Sequence, residues 1–586
     1  MITREAGDAR PDSATMPEPH ADPGPGVPEI AFGPADEPWR NSFGGLSLMS
    51  GPPDVTPPSS DPRRSYASIP EIPYGQFQLP ASGLTEEQYA AAENHFRSWL
   101  EQQCRVSVGF QVSGDLDYQQ RLGPYLGLAL NNVGDPYQSG AYTHNSKILE
   151  RAVLDYFASL WNARWPHRRD DPESYWGYSL TMGASEGNLY GLWNAREYLS
   201  GQLMLHSGQD SWSSGGGRYG PADDPAGPRS NSYHPVIFYS QDTHYSLTKA
   251  TRLLGVDTFQ DVGRRWFPDE NPLAPGTPWP AEVPSLGGAD GDGTIDIDCL
   301  AVLVDFFASR GFPILVNLNY GSTFKGAYDD VEVASRTVHE ICAKHGLDER
   351  PVHHDHRGRH DGRAAEEQDG SGGFDLRTGY WVHVDGALGA GYAPYLEMAR
   401  RAGLVAAAPP VFDFRLPTVH SITASGHKWM GAPWPCGIFM TRTGFQMVPP
   451  REVEYTGSSD TTLAGSRNGF SPLLMWDYLA RHSYDDQARW AAECDRMAAY
   501  AESSLRALET ALGLDLWVAR SPFSLTVRFR RPAPWIVQKY SLSYETTHVR
   551  GQRRPCAHLF TMRHVTRDLV DALVRDLRRV GAFAAG

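Results

Sequence analysis

"YWVHVDGA" (380–387) followed by "APYLEMARRAG" (393–403) sets the reading of the whole chain. Five apolar or half-apolar residues in an extended run, a Gly-Ala turn and an amphipathic stretch predict a buried strand leading into a helix. The same unit recurs. "SYWGYSLTMG" (174–183) leads into "SEGNLYGLWNAREYL" (185–199), and "HPVIFYSQ" (234–241) into "THYSLTKATRLLG" (243–255). "FPILVNLNYG" (312–321) precedes "VEVASRTVHEICAKHG" (331–346). Buried β-runs alternating with helices predict an α/β fold with a mainly parallel sheet and crossover connections. From about 440 the pattern changes to helices such as "DDQARWAAECDRMAAYAESSLRALET" (485–510) and a strand "FSLTVRFRRP" (523–532), closed by "TRDLVDALVRDLRRVG" (566–581). That predicts a smaller α+β unit.

The 586 residues carry a formal charge of -16, which argues against a nucleic-acid or anionic-membrane surface. No apolar run approaches a bilayer-spanning length, and the first twenty residues hold no hydrophobic leader core. Six cysteines are scattered singly, as in a reduced cytoplasmic protein. Residues 1–70 are rich in Pro, Gly, Ser and Asp and predict a disordered tail. The expected division is this tail, a helical segment over 71–130, a large domain over 131–440 and a small one over 441–586. Thr85 is the expected N-cap of the first helix.

Three polar stretches, 206–232, 267–294 and 350–378, read as surface insertions. "VHHDHRGRHDGR" (352–363) in the last is read as a solvated loop ahead of a metal site, since no fixed ligand spacing is implied. "DGDGTIDID" (290–298) lacks the Glu that closes a calcium loop and is read as a turn before a strand or helix.

Chemistry concentrates around "SITASGHKWMGAPWPCG" (421–437). Lys428, one of only six lysines, sits among small and apolar residues. A desolvated amine loses its proton more readily and becomes a nucleophile able to hold a carbonyl as a Schiff base. The plainer alternative is a lysine at an element's end with its head in water. In "TMGASEGNLYG" (181–191) a strand meets a helix expected to begin at Glu186, so Ala184 and Ser185 would face a phosphate; a simple capped helix is the alternative. Asp385 ends its β-run, where open α/β sheets bind ligands, and a protonated pyridine nitrogen would partner its carboxylate. Capping of the next helix is the bland reading. His244, in "YSQDTHYSLTKA" (239–250), is placed to lie over a flat ring or donate to it, and Thr323, in "VNLNYGSTFKGAYDD" (316–330), to reach a ring substituent. Together they describe a pyridoxal 5'-phosphate site without a metal.

"GASEGN", "DTHYS", "HVDGALG", "SGHKWMG…PCGI" and "GSRNG" resemble the group II pyridoxal-phosphate-dependent amino-acid decarboxylases, nearest the histidine and serine decarboxylase branch. The resemblance runs from about 130 to 480. It implies an aspartate-aminotransferase-like fold and an obligate homodimer with shared active sites, the 71–130 segment packing on the partner. It makes Lys428 the Schiff-base lysine, Asp385 the pyridinium partner and His244 the stacking residue. It gives the phosphate to Ala184, Ser185, Ser425 and His427. It also brings Ser466 and Arg467 toward the site from the partner subunit, and lets Tyr455 return the proton to the substrate carbon. Two departures bear on substrate: Asn145 and Phe470 stand where relatives carry imidazoles. A pocket without those hydrogen-bond partners favours an aliphatic amino acid, valine or leucine ahead of histidine or serine. An aldehyde synthase or aminotransferase on the same fold, and a degenerate non-enzymatic homologue, are the competing readings.

Overall fold

The apolar β-runs fold as strands buried along nearly their full length: β1 (Tyr175–Leu180), β2 (Val236–Phe238), β3 (Ile314–Asn319), and, after the separate antiparallel pair β4 (Arg350–His353) and β5 (Phe374–Arg377), β6 (Tyr380–Asp385), β7 (Ser421–Ser425) and β8 (Gly437–Arg442). The computed structural model describes residues 72–113, 117–202, 204–206, 231–353, 374–448, 454–549 and 552–583. The Pro/Gly-rich tail and most of the 206–232 and 350–378 insertions, including nearly all of the histidine-rich stretch, lie outside these residues. Among the described residues no helix is long and apolar enough to cross a membrane.

The main sheet runs in the order β1-β8-β7-β6-β3-β2. The pairs β2/β3, β3/β6 and β6/β7 are parallel, whereas β8 is antiparallel to both β7 and β1. No crossover helix separates β7 from β8, so the chain returns in the opposite direction. The turn between them carries Lys428. Side-chain alternation along the strands builds two cores. Val316, Leu318, Val382, Val384, Ile422 and Ile438 face one side. Leu315, Trp381 and Phe439 face the other, with Tyr190 and Leu247 from the covering helices.

The chain divides into two units, residues 1–95 and 96–586. The first holds a 3-10 turn at Tyr74–Phe77 and the start of helix α1 (Glu86–Val106), whose residues from Phe96 on belong to the second. Thr85 Oγ1 accepts from Gln88 N at 3.2 Å and Gln88 Oε1 accepts from Thr85 N at 2.9 Å, a reciprocal cap. In the second, α2 (Gln119–Leu122) and α3 (Lys147–Leu160) precede β1. The sheet is covered by α4 (Ala184–Leu199), α5 (Tyr245–Leu254), α6 (Phe259–Trp266), α7 (Ile297–Ala308), α8 (Val331–Lys344) and α9 (Gly389–Arg401). "DGDGTIDID" runs from a short 3-10 turn into α7, whose N-cap is Asp296.

Beyond the sheet come α10 (Phe470–Arg481) and the 29-residue α11 (Tyr484–Leu512). They are followed by β9 (Thr526–Arg530), α12 (Pro534–Lys539), β10 (Ser543–Val549), β11 (Gln552–Phe560) and α13 (Arg567–Leu577). The three strands form an antiparallel sheet in the order β10-β11-β9 over a core of its own that includes Leu505, Val527, Phe529, Leu559 and Leu573.

Candidate active site

The C-terminal ends of β3, β6 and β7 and the N-termini of α4 and α5 meet at one edge of the main sheet, where open α/β folds take their ligands. What lets α4 come close is a stripe of glycines four apart. A Cβ on Gly187 would lie 1.9 Å from Thr423 Oγ1, and one on Gly191 would lie 2.8 Å from His383 Cε1. The helix therefore lies directly on β6 and β7. At its head, Gly183 adopts φ 68°, ψ -165°, a backbone region open to glycine. A Cβ there would sit 2.6 Å from His427 Cε1 and 3.3 Å from Ser425 Oγ. Ala184 N donates to Ser425 Oγ at 3.0 Å. The helix begins at Ala184, two residues before the expected Glu186, so Ala184 and Ser185 are its first two residues. Glu186 turns back instead, its Oε2 accepting from Thr181 N at 2.7 Å and Met182 N at 2.9 Å. Gly183, Ala184, Ser185, Ser425 and His427 thus make a cradle of helix dipole and donors suited to a phosphate. Gly183→Ala is expected to weaken cofactor binding about tenfold or more while leaving far-UV circular dichroism unchanged, measured by titrating the dialysed protein; unchanged affinity would remove the cradle from this role.

Asp385 is 7% exposed. Its Oδ2 accepts from Asn188 Nδ2 at 2.8 Å and its Oδ1 from Ala387 N at 3.2 Å. Asn188 also donates to Ser246 Oγ at 3.0 Å and meets His383 Nε2 through its Oδ1 at 3.0 Å. Ser246 Oγ lies 2.8 Å from His244 Nδ1, and His244 caps α5. Burial lowers the His244 pKa, with Asp385 opposing and Lys428 reinforcing the shift. The sequence pattern singles out none of Asn188, Ser246 and His383. The spacing of Gly183, Gly187 and Gly191 is the available signal that α4 presses on the sheet.

Lys428 lies in the β7–β8 turn, which is fixed from several sides. Gly426 N donates to Cys436 O at 2.8 Å, Trp429 Nε1 to Gln487 Oε1 at 3.1 Å, and Tyr118 Oη to Met430 O at 3.2 Å. Packing around the amine pulls the Lys428 pKa down to about 8, and the Asp385 carboxylate pulls the other way. The shift enlarges the uncharged fraction of this amine near neutrality, as a nucleophile needs. His427 is likewise lowered by burial and by Lys428.

Thr323 is half-buried in the turn after β3, between Ser322 and the buried Lys325, which pairs with Asp242 at 3.2 Å. That pair ties the Thr323 turn to the one that carries His244. Ser466 is exposed and accepts from Asn131 Nδ2 at 3.2 Å. The Arg467 side chain is fully buried in its own chain, ion-paired with Glu150 and donating to Gly134 O at 3.0 Å. Tyr455 is 87% exposed in a short 3-10 turn, and among the described residues no hydrogen bond joins it to the Lys428 group. Asn145 Nδ2 donates to Tyr142 O at 2.7 Å. Phe470, half-buried, opens α10. The segments holding these two are joined by an Asn131–Asn468 bridge and by Ser146 Oγ donating to Gly469 O at 2.7 Å.

An amine of lowered pKa, a carboxylate at a strand end, a flat histidine and an anion cradle under a helix head fit a phosphorylated pyridine aldehyde. Known proteins point the same way. Residues 290–508 match the pyridoxal-dependent decarboxylase conserved domain. The chain is 27% identical over 478 residues to histidine decarboxylase of Solanum lycopersicum, covering 82% of this chain and 86% of the relative. It is 27% identical over 497 residues to serine decarboxylase 1 of Oryza sativa subsp. japonica, covering 85% and 77%. Among solved structures, L-methionine decarboxylase from Streptomyces sp. 590 is 45% identical, with a TM-score of 0.78 over 87% of this chain and 98% of that one. The fold, the geometry at the sheet edge and these relatives converge: the chain belongs to the group II pyridoxal-phosphate-dependent decarboxylases and acts on amino acids.

Proposed function

We propose that the chain releases CO2 from an L-amino acid with an uncharged, apolar side chain, the class that holds leucine, valine and methionine, in preference to histidine or serine. The observation that carries this is the 45% identity to a decarboxylase of methionine, a thioether as apolar as an aliphatic chain, against 27% for the histidine and serine enzymes. Asn145 and Phe470 support it, because both lack the imidazoles that a polar substrate would use.

Bound at the site, pyridoxal 5'-phosphate supplies a ring that accepts the electron pair left as CO2 departs. In this reading Lys428 holds its carbonyl carbon and Asp385 keeps a proton on its ring nitrogen. Ala184, Ser185, Ser425 and His427 hold the phosphate, His244 covers one face of the ring, and Thr323 contacts a substituent. The buried walls exclude water, which favours loss of the charged carboxylate. Tyr455 or His244 returns the proton to the substrate carbon. The exposure of Tyr455 in a single chain supports its donation to a second copy, in a cytoplasmic homodimer with shared sites.

The test is kcat/KM for L-methionine, L-leucine, L-valine, L-histidine and L-serine by CO2 release. One of the first three is expected to lead the last two by about a hundredfold or more, the scale on which a pocket without polar partners rejects a polar side chain. A lead for histidine or serine would overturn the apolar assignment.

A further inference from the structure

We propose that Asn188 is a positioning residue that couples the carboxylate of Asp385 to the tautomer of His244, with His383 setting the orientation of its amide. The inference rests on the assignment of Lys428, Asp385 and His244 to the cofactor site.

Hydrogen-bond polarity fixes the sense of each contact. A carboxylate only accepts, so the Asn188 atom 2.8 Å from Asp385 Oδ2 is the amide nitrogen. Its second N–H goes to Ser246 Oγ at 3.0 Å, which exhausts the donors of that amide. Asn188 Oδ1 then faces His383 Nε2 at 3.0 Å, and two lone pairs cannot meet, so Nε2 carries the proton. His383 Nδ1 becomes an acceptor for Ser421 Oγ at 2.8 Å. Ser421 can donate because its oxygen accepts from Trp381 Nε1 at 3.0 Å. On the other branch, Ser246 Oγ has accepted from Asn188 and gives its own proton to His244 Nδ1 at 2.8 Å; Ser246 N donates to the same nitrogen at 3.3 Å. A neutral His244 therefore keeps its proton on Nε2. One charge at Asp385 dictates the sense of every bond in the chain, including the ring nitrogen that His244 presents.

The surroundings are built for this. His383 is fully buried, and its pKa is pushed down to about 4 by that burial against the pull of Asp385, so it stays neutral across the working range. Gly191 leaves the room its ring occupies, and Gly187 lets Asn188 reach the strand ends. Asn188 is itself fully buried.

Four variants of the holoenzyme test the coupling: Asn188→Asp, Ser246→Ala, His383→Gln and His383→Leu. The readouts are kcat, KM and the absorbance band of the bound cofactor, with borohydride tagging of Lys428 as the check that the cofactor is attached. Asn188→Asp replaces two N–H donors by a carboxyl that holds at most one proton, shared with Asp385, so it cannot serve both branches; it should keep the tag, shift the band and lower kcat about ten- to a hundredfold with KM moved less than about threefold. That range is the worth of one hydrogen bond to a charged group. Ser246→Ala removes the hydroxyl that links Asn188 to His244, leaving only the longer Ser246 N contact on Nδ1, and should lower kcat about tenfold with the band unmoved. It removes a single hydroxyl, so it decides the matter if Asn188→Asp does not fold. His383→Gln keeps an N–H where Nε2 stood and should stay within about threefold of wild type, whereas His383→Leu should match Asn188→Asp. Wild-type kcat in Asn188→Asp or Ser246→Ala, or equal losses in the two His383 variants, would overturn the coupling. A wild-type protein that takes no tag at Lys428 would instead overturn the site on which it rests.

Discussion

Lys428→Ala lowers kcat by about four orders of magnitude or more, the scale on which removal of a covalently acting side chain is felt. The reason is chemical. Only an uncharged amine attacks a carbonyl, and Lys428 is the amine whose pKa burial brings down to about 8. Arginine in its place does not rescue, because a guanidinium stays protonated. The fold should persist, since the β7–β8 turn is held by Gly426, Trp429 and Met430 rather than by the lysine. Borohydride reduction followed by peptide mapping should leave the pyridoxyl tag at Lys428 in the wild type and nowhere in the variant. Activity within tenfold of wild type in Lys428→Ala would refute the assignment.

The second large effect is on stability. Glu150 on α3 and Arg467 ahead of α10 form an ion pair that is fully buried on both sides. Glu150 accepts further from Asn132 Nδ2 at 2.7 Å and Ser179 N at 2.9 Å, so the carboxylate anchors three segments. Removing the guanidinium alone leaves an uncompensated charge in the core. Arg467→Ala should therefore destabilise the chain by about 3–5 kcal/mol, read from the shift of its urea denaturation midpoint. The double change Glu150→Met with Arg467→Met should recover part of that loss, because it removes the unpaired charge but leaves Asn132 Nδ2 and Ser179 N without their acceptor. A single mutant within about 1 kcal/mol of wild type would show that the buried pair is not what joins these segments.

Arg467 also shows where a reading of residues stops. "GSRNG" is conspicuous in the sequence, but its partner Glu150 lies 317 positions away, and no local pattern links the two. Similarly, β10 and β11 carry charged and polar residues and Pro555, so neither shows the apolar alternation that reveals a strand. Their pairing is set by the C-terminal core on which they lie. The reversal of β8 is equally silent in the sequence, since the direction of a strand follows from the length of its connection and not from its own composition.

By contrast, the β-runs ending at Asp385 and Asn319, the amphipathic helices after them, and a lone lysine in an apolar stretch are all legible. Periodicity over five to fifteen residues reports burial directly, and a charged group in such a run is unusual enough to mark chemistry. The amino-acid order by itself determined the α/β alternation and marked Lys428, Asp385 and His244 as candidates for the site. Tertiary structure alone decided that three glycines bring α4 down onto β6 and β7, that Asn188 bridges Asp385 and Ser246, and that Arg467 is enclosed within its own chain. Those outcomes depend on contacts between segments tens to hundreds of residues apart, and close packing of rigid elements, not local preference, selects which of them meet.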